Sequence, residues 1–96
     1  MKQEFKVKDN RVDVWLSGSM YVEEAADLRE KLLAYIEKGL NTFWIDIHTV
    51  DYMDSSGLGV LVAIQKRALQ KGGEVVLIGA SGLVKEIIEM TRLNRV

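Results

Sequence analysis

The chain contains no cysteine, no proline and a single histidine among its 96 residues. Without cysteine it can form no disulfide bond, no thiolate metal site and no cysteine nucleophile. His48 cannot form a multi-histidine metal site alone, and one histidine makes an acid–base triad a poor explanation of function. We therefore expect no catalytic residue, no metal and no cofactor, and we interpret His48 as a solvated loop residue rather than a catalytic base.

The chain also lacks a strong charge of either sign. Its 13 Lys and Arg residues face 14 Asp and Glu residues, for a formal charge of −1 at pH 7. Such a balance provides no basic field to hold nucleic acid or an anionic membrane. The longest nearly uncharged run ends at Lys66 and Arg67, well short of a membrane span, and the N-terminus has no apolar signal segment. We expect a cytoplasmic protein that binds neither nucleic acid nor membrane.

What the chain does have is the composition of one globular domain, which we place at residues 1–96. Hydrophobic residues make up 48% and charged residues 28%, values that argue against disorder. No repeat, low-complexity tract or long linker divides the chain. Residues 5–8 and 12–16 alternate apolar and polar positions, which predicts a β-hairpin that Gly18 ends.

The remaining helices and strands are predicted from the spacing of the apolar residues, which changes along the chain. Helical spacing over residues 22–38 predicts a first helix, with Gly39 as its C-terminal stop. Residues 43–47 and 75–78 are almost continuously apolar, as in parallel strands inside a sheet that is covered on both faces. A second helix is predicted between them, from Ser55 to Gln70, and the residues expected on one of its sides are Leu58, Leu61, Val62 and Leu69. A last helix is expected from Ser81, carrying Val84, Ile87, Ile88 and Thr91.

This order of elements predicts a single α/β domain with a right-handed parallel crossover. We expect a mixed sheet of four or five strands, covered mainly on one side by three or four helices. Asp46 lies in the predicted central strand. It is either an acid of a site at the motif end of the sheet or a carboxylate hydrogen-bonded to neighbouring backbone.

The most informative segment runs from Tyr52 to Gly59 and reads YMDSSGLG. It follows a predicted buried strand and begins a helix, the place where α/β proteins commonly meet ligands and partners. Two glycines would allow another surface to approach closely. An alternative remains open, because Asp or Ser at this point is also the usual cap of a helix. The segment matches neither a phosphate-binding loop nor a nucleophile elbow.

Residues 53–61, MDSSGLGVL, resemble the signature of the STAS domain, the sulfate-transporter and anti-sigma-factor-antagonist family. The resemblance covers nearly the whole chain. It includes LSG at residues 16–18, WIDI at 44–47, GGEV at 72–75 and VKEII at 84–88. Among STAS proteins, the chain is most similar to the free-standing bacterial anti-sigma-factor antagonists. A departure is Ser19-Met20-Tyr21, where the family usually has a polar residue, an aliphatic one and aspartate.

The resemblance implies a partner switch. Ser55 would be phosphorylated by an anti-sigma factor that is itself a serine kinase, and a serine phosphatase would reverse this. The unphosphorylated protein, a monomer when free, would bind the kinase and release a sigma factor. The residues implied in partner binding are Asp54, Ser56, Gly57, Leu58, Gly59, Ser19 and Tyr21.

Two other functions remain as alternatives. The same fold could serve as a STAS subunit that regulates a lipid or anion transporter by protein contact, without phosphorylation. A small hydrolase or nucleotide-processing enzyme could instead use Asp54 and Ser55. The enzyme hypothesis is weaker, because it lacks a base, a set of metal ligands and a phosphate loop.

Overall fold

The computed structural model describes residues 1–80 together with Lys85. The described elements are β1 (Lys2–Lys8), β2 (Arg11–Met20), α1 (Val22–Glu37), β3 (Thr42–Met53), α2 (Ser55–Gln70) and β4 (Glu74–Ile78). This is the predicted order. Two helices are described where three or four were expected, and the helix predicted from Ser81 lies outside the described residues. Neither described helix is long and apolar enough to span a bilayer.

The four strands form one mixed sheet in the order β1-β2-β3-β4. β1 pairs with β2 in antiparallel fashion, as the predicted hairpin requires, and its turn places Asp9 at a positive φ of 55°. β2, β3 and β4 run parallel. The helices α1 and α2 connect these parallel strands, because a parallel pair cannot be joined by a tight turn. The predicted α/β architecture with a mixed sheet is confirmed.

β2 and β3 extend further than the apolar pattern predicts. Gly18 does not end β2, which continues to Met20, and β3 continues past Ile47 to Met53. The pairing register shifts between Trp15 and Ser17 and again between Gly18 and Ser19, where Gly18 adopts a φ of 92°. Such bulges break the side-chain alternation while the two backbones stay paired. As a result, both strands end side by side, directly before α1 and α2.

The hydrophobic core lies on one face of this sheet, beneath α1 and α2. The prediction that β3 is covered on both faces is wrong: Phe43, Ile45 and Ile47 are buried, whereas Trp44 between them is 38% exposed. The Arg11 guanidinium lies 4.3 Å from the Trp44 ring centroid, a cation–π contact that makes an outward tryptophan tolerable.

β4 departs from expectation in its position. It was predicted to lie away from an edge, yet in the part of the sheet that the structure describes it has β3 on one side and is the last strand. Its side chains are nevertheless buried on both faces, with Val75 and Leu77 at 0% and Val76 at 8% exposure. The continuous apolar run therefore reports burial of the strand correctly but does not report its place in the sheet.

α1 forms because one stripe of apolar residues faces the sheet and both ends are satisfied. The buried stripe is Ala25, Leu28, Leu32 and Ile36. At the start, the Tyr21 backbone N–H donates to Glu24 Oε1 at 2.9 Å. At the end, Gly39 takes a φ of 89°, the left-handed conformation that stops a helix. The predicted stop at Gly39 is confirmed.

α2 packs through a stripe that includes small residues. Its buried positions are Gly57, Val60, Leu61, Ile64 and Ala68. Leu69, predicted on the buried side, is 54% exposed. The small residues explain the difference. Gly57 and Ala68 belong to the buried face of α2, and a prediction based on large apolar side chains does not include them. A Cβ added to Gly57 would lie 2.6 Å from both Met20 Sδ and Met53 Cγ.

Gly57 and its helix neighbour Gly59 provide a matched test of this packing. Gly57→Ala should destabilise the protein by about 1–2 kcal/mol, because overpacking outweighs the gain in helix propensity. Gly59→Ala should stabilise it by about 0.5–1 kcal/mol, since a Cβ there meets nothing within 4 Å. Urea denaturation of both variants measures the difference. Equal stabilisation by the two substitutions would show that α2 does not approach the methionines closely.

Candidate functional site

The candidate site is built where two strands end and two helices begin. Met20 and Met53 are register partners at the ends of β2 and β3, and the Asp54 backbone N–H donates to the Met20 carbonyl at 3.2 Å. Both methionine side chains are buried in the core, at 0% and 6% exposure. The next residues along the chain, Tyr21 and Asp54, are therefore held next to each other by a buried anchor.

Asp54 is the N-cap of α2. Its Oδ1 accepts hydrogen bonds from the backbone N–H groups of Ser56 at 2.9 Å and Gly57 at 3.2 Å. The Asp54 carbonyl accepts from the Leu58 N–H at 3.2 Å. A carboxylate at this position also interacts favourably with the positive end of the helix dipole. The capping interpretation therefore holds for Asp54, and Ser55 is not needed as a cap of α2.

Ser55 is the first residue of α2 and its side chain is exposed. Within the described part of the chain, no side-chain hydrogen bond uses the Ser55 hydroxyl, while Asp54 serves both neighbouring N–H groups. The single histidine of the chain is far from this hydroxyl. His48 lies in β3 six residues before Asp54, which at about 3.3 Å per residue is roughly 20 Å away.

The other motif residues divide between the core and the surface. Ser56 and Leu58 are half-buried, and Leu58 packs against the core. Gly57 is buried against Met20 and Met53, so its position serves close packing. Gly59 is exposed on the next turn of the helix.

Tyr21 is brought together with Tyr52, a residue that was not among the predicted site residues. The two ring centroids lie 5.3 Å apart with 36° between the ring planes. Tyr21 is 53% and Tyr52 42% exposed. Ser19 is the register partner of Tyr52 and is half-buried. The signal for Tyr52 was present in the sequence, since it immediately precedes the buried Met53 and therefore points away from the core.

Asp46 and His48 form a separate pair, away from the motif. Asp46 lies opposite Trp15 and Ile78 in the sheet, eight residues before Asp54, or roughly 25 Å of extended strand. The expectation that Asp46 points near the motif end of the sheet is wrong, because β3 continues well beyond the predicted end. His48 belongs to β3 rather than to a loop, although it is exposed as expected.

The Asp46 carboxylate has local partners. Its Oδ1 accepts from the His48 backbone N–H at 3.0 Å and lies 2.6 Å from His48 Nδ1. Partial burial acts to raise the pKa of Asp46, but the hydrogen bonds and the charge of His48 outweigh it and lower that pKa below its usual value. The alternative of a carboxylate bonded to neighbouring backbone is thus the observed one. In residues 1–80, no three His, Asp or Glu side chains gather as metal ligands would.

Comparison with known proteins places this arrangement in a family. The model of the STAS domain matches residues 2–96. The anti-sigma-B factor antagonist of Listeria monocytogenes serovar 1/2a (strain ATCC BAA-679 / EGD-e) is 35% identical over 92 residues, which cover 95% of this chain and 81% of the relative.

Solved structures show the same fold. The anti-sigma factor antagonist SpoIIAA in its unphosphorylated form superposes with a TM-score of 0.89 at 18% identity, covering 99% of this chain and 87% of the other. The phosphorylated form of the Bacillus cell fate determinant SpoIIAA gives 0.85 at 20% identity, covering 96% and 85%. The family match spans almost every residue, and the solved folds superpose on nearly the whole chain. The chain belongs to the STAS domain family.

Proposed function

We propose that this protein is an anti-sigma-factor antagonist, a binding module without catalytic activity that sequesters an anti-sigma factor and so releases a sigma factor. The observation that carries the proposal is made at the start of α2. Asp54 caps the helix there, and Ser55 is exposed and takes no part in the cap. The name of the Listeria relative, an anti-sigma-B factor antagonist, supports the same function.

Phosphorylation of Ser55 is the proposed switch. The serine satisfies what a protein kinase needs, since its side chain is exposed and its hydroxyl is unused by the described residues. Ser56 is a poorer acceptor because it is half-buried. A solved SpoIIAA fold in a phosphorylated form is consistent with a covalent switch on this architecture.

A phosphate at Ser55 would change this surface in two ways. It adds a charge of about −1.5 to −2 at pH 7, beside the carboxylate of Asp54. It also adds bulk on the first turn of a helix on which the nearby exposed position, Gly59, carries no side chain. A partner that packs closely on the unmodified turn would be displaced, while the helix dipole would keep the phosphorylated protein folded.

The enzyme alternative finds no support in the described residues. A serine nucleophile needs a base within hydrogen-bond reach. His48 is bound to Asp46 instead, and it lies six residues before Asp54 in the sequence. The proposed partners are therefore an anti-sigma factor that is also a serine kinase, and a serine phosphatase that restores the binding form.

The acceptor residue can be identified directly. Incubation with the anti-sigma kinase of the same organism and ATP should add one phosphate, located at Ser55 by tandem mass spectrometry. Ser56→Ala is the matched control and should still be phosphorylated, whereas Ser55→Ala should not. A phosphate found only on Ser56 or Ser81 would contradict the proposal.

The switch can be tested by binding. Ser55→Ala should fold with a change of less than about 0.5 kcal/mol, because Asp54 provides the cap, and should bind the anti-sigma factor as the wild type does. Ser55→Asp should weaken binding by about 1–3 kcal/mol, since one carboxylate reproduces only part of the charge and size of a phosphate. Calorimetry measures the affinities, and thermal melts confirm folding. Equal affinity of all three proteins would place the switched interface elsewhere.

A further inference from the structure

The two segments that contain the site residues are acidic, although the chain as a whole is nearly neutral. Residues 17–24 and 49–58 contain Glu23, Glu24, Asp51 and Asp54 and no lysine or arginine. Among the described residues, Lys2 is the register partner of Ser17 at this end of the sheet, and its Nζ is paired with Glu4 at 3.2 Å. Such a surface repels nucleic acid, anionic lipid and acidic proteins, and attracts a partner with positive charge.

The same end exposes apolar surface. Three of the seven large hydrophobic side chains exposed among the described residues are here: Tyr21, Val22 and Tyr52. We call Tyr21 and Tyr52 the tyrosine pair. Their backbone is fixed by the Met20–Met53 anchor, so little conformational freedom remains to be lost when a partner binds. Rigid, exposed aromatic rings of this kind are typical of residues that dominate binding energy.

Three of the five other aromatic rings hold a cation of the same chain, whereas Trp15 and the buried Phe43 have none in the described part of the chain. Arg11 lies over Trp44, Lys31 over Phe5 and Lys38 over Tyr35, with 4.3, 5.5 and 5.9 Å to the ring centroids. In the described part of the chain, the tyrosine pair has no such cation. It offers two exposed aromatic rings next to acidic residues of the same segments, an environment suited to a cation from outside.

We propose that the tyrosine pair receives an arginine side chain of the anti-sigma factor. The inference rests on the proposed function and concerns the unphosphorylated, binding-competent protein. Arginine fits better than lysine, because its planar guanidinium stacks on aromatic rings and is more weakly hydrated than an ammonium. Its remaining N–H donors can bind Asp54, which follows Met53 beside Tyr21 and whose Oδ2 is not used by the helix cap.

Substitutions of the tyrosine pair test the contact with the anti-sigma factor. Tyr21→Leu and Tyr52→Leu should each weaken binding about 3- to 30-fold, while Tyr21→Phe, which keeps the ring, should stay within about threefold of the wild type. Trp15→Leu is the matched control, an equally exposed aromatic on the open sheet face, and should bind normally. All variants keep the Tyr21 N–H that donates to Glu24. Equal losses for Trp15→Leu, or for Tyr21→Phe and Tyr21→Leu, would overturn the inference.

A second measurement does not depend on the anti-sigma factor. An acetylated tetra-arginine peptide is titrated into the isotope-labelled protein, with its tetra-citrulline counterpart as an uncharged control, and the aromatic resonances are followed by NMR. The rings of Tyr21 and Tyr52 should shift saturably with the arginine peptide alone, and those of Trp15 and Trp44 should not. Unshifted tyrosine rings, or equal shifts with citrulline, would overturn the arginine contact.

The two arms separate failure of this inference from failure of the proposed function. If the anti-sigma factor does not bind the wild-type protein, the proposed function is wrong, while the peptide titration still decides whether the tyrosine pair holds a guanidinium group. If the anti-sigma factor binds and tetra-lysine peptide shifts the rings as strongly as tetra-arginine, the preference for arginine is refuted.

Discussion

The arrangement of the site depends on the pairing of β2 and β3 at their last residues. Met20 and Met53 lie opposite each other, their side chains are buried, and the Asp54 N–H donates to the Met20 carbonyl. This anchor brings two loops that are far apart in the sequence to one point. Gly57 extends the contact, because its missing side chain lets α2 approach both methionines. The surface that we assign to partner binding is thus a consequence of how the core is closed.

The chemistry of the surface follows from which groups the helix start uses. Asp54 accepts from two backbone N–H groups, so the helix needs nothing from Ser55. A residue that is dispensable for folding can be modified without unfolding the protein, which is what a reversible switch requires. The tyrosine pair stands beside it on the other side of the junction. The tyrosine pair would then recognise the partner, and the neighbouring Ser55 would switch the binding.

Much of the fold could be predicted from the sequence, because apolar residues that recur at a regular spacing mark the buried face of a helix or strand. The extents of α1 and α2 followed from the helical spacing of apolar residues, and the end of α1 followed from the position of Gly39. The ends of β2 and β3 did not, since their final pairing is set by backbone bulges near Gly18 that no side-chain pattern reveals. Trp44 and Leu69 were assigned to buried faces because they are apolar, yet a neighbouring Arg11 and the small Gly57 and Ala68 decide those faces. Asp46 was misplaced because β3 is longer than its apolar run, and Tyr52 became part of the site only through its contact with Tyr21.

The central claim, that modification of Ser55 controls binding, is tested most directly with the authentic phosphoprotein. Stoichiometrically phosphorylated protein, its unphosphorylated form and a phosphatase-treated sample are compared for affinity to the anti-sigma factor by calorimetry, with thermal melts in parallel. Our account predicts that the phosphorylated form binds at least about tenfold more weakly while remaining folded, and that phosphatase treatment restores the original affinity. Equal affinity of the folded phosphorylated and unphosphorylated proteins would contradict it.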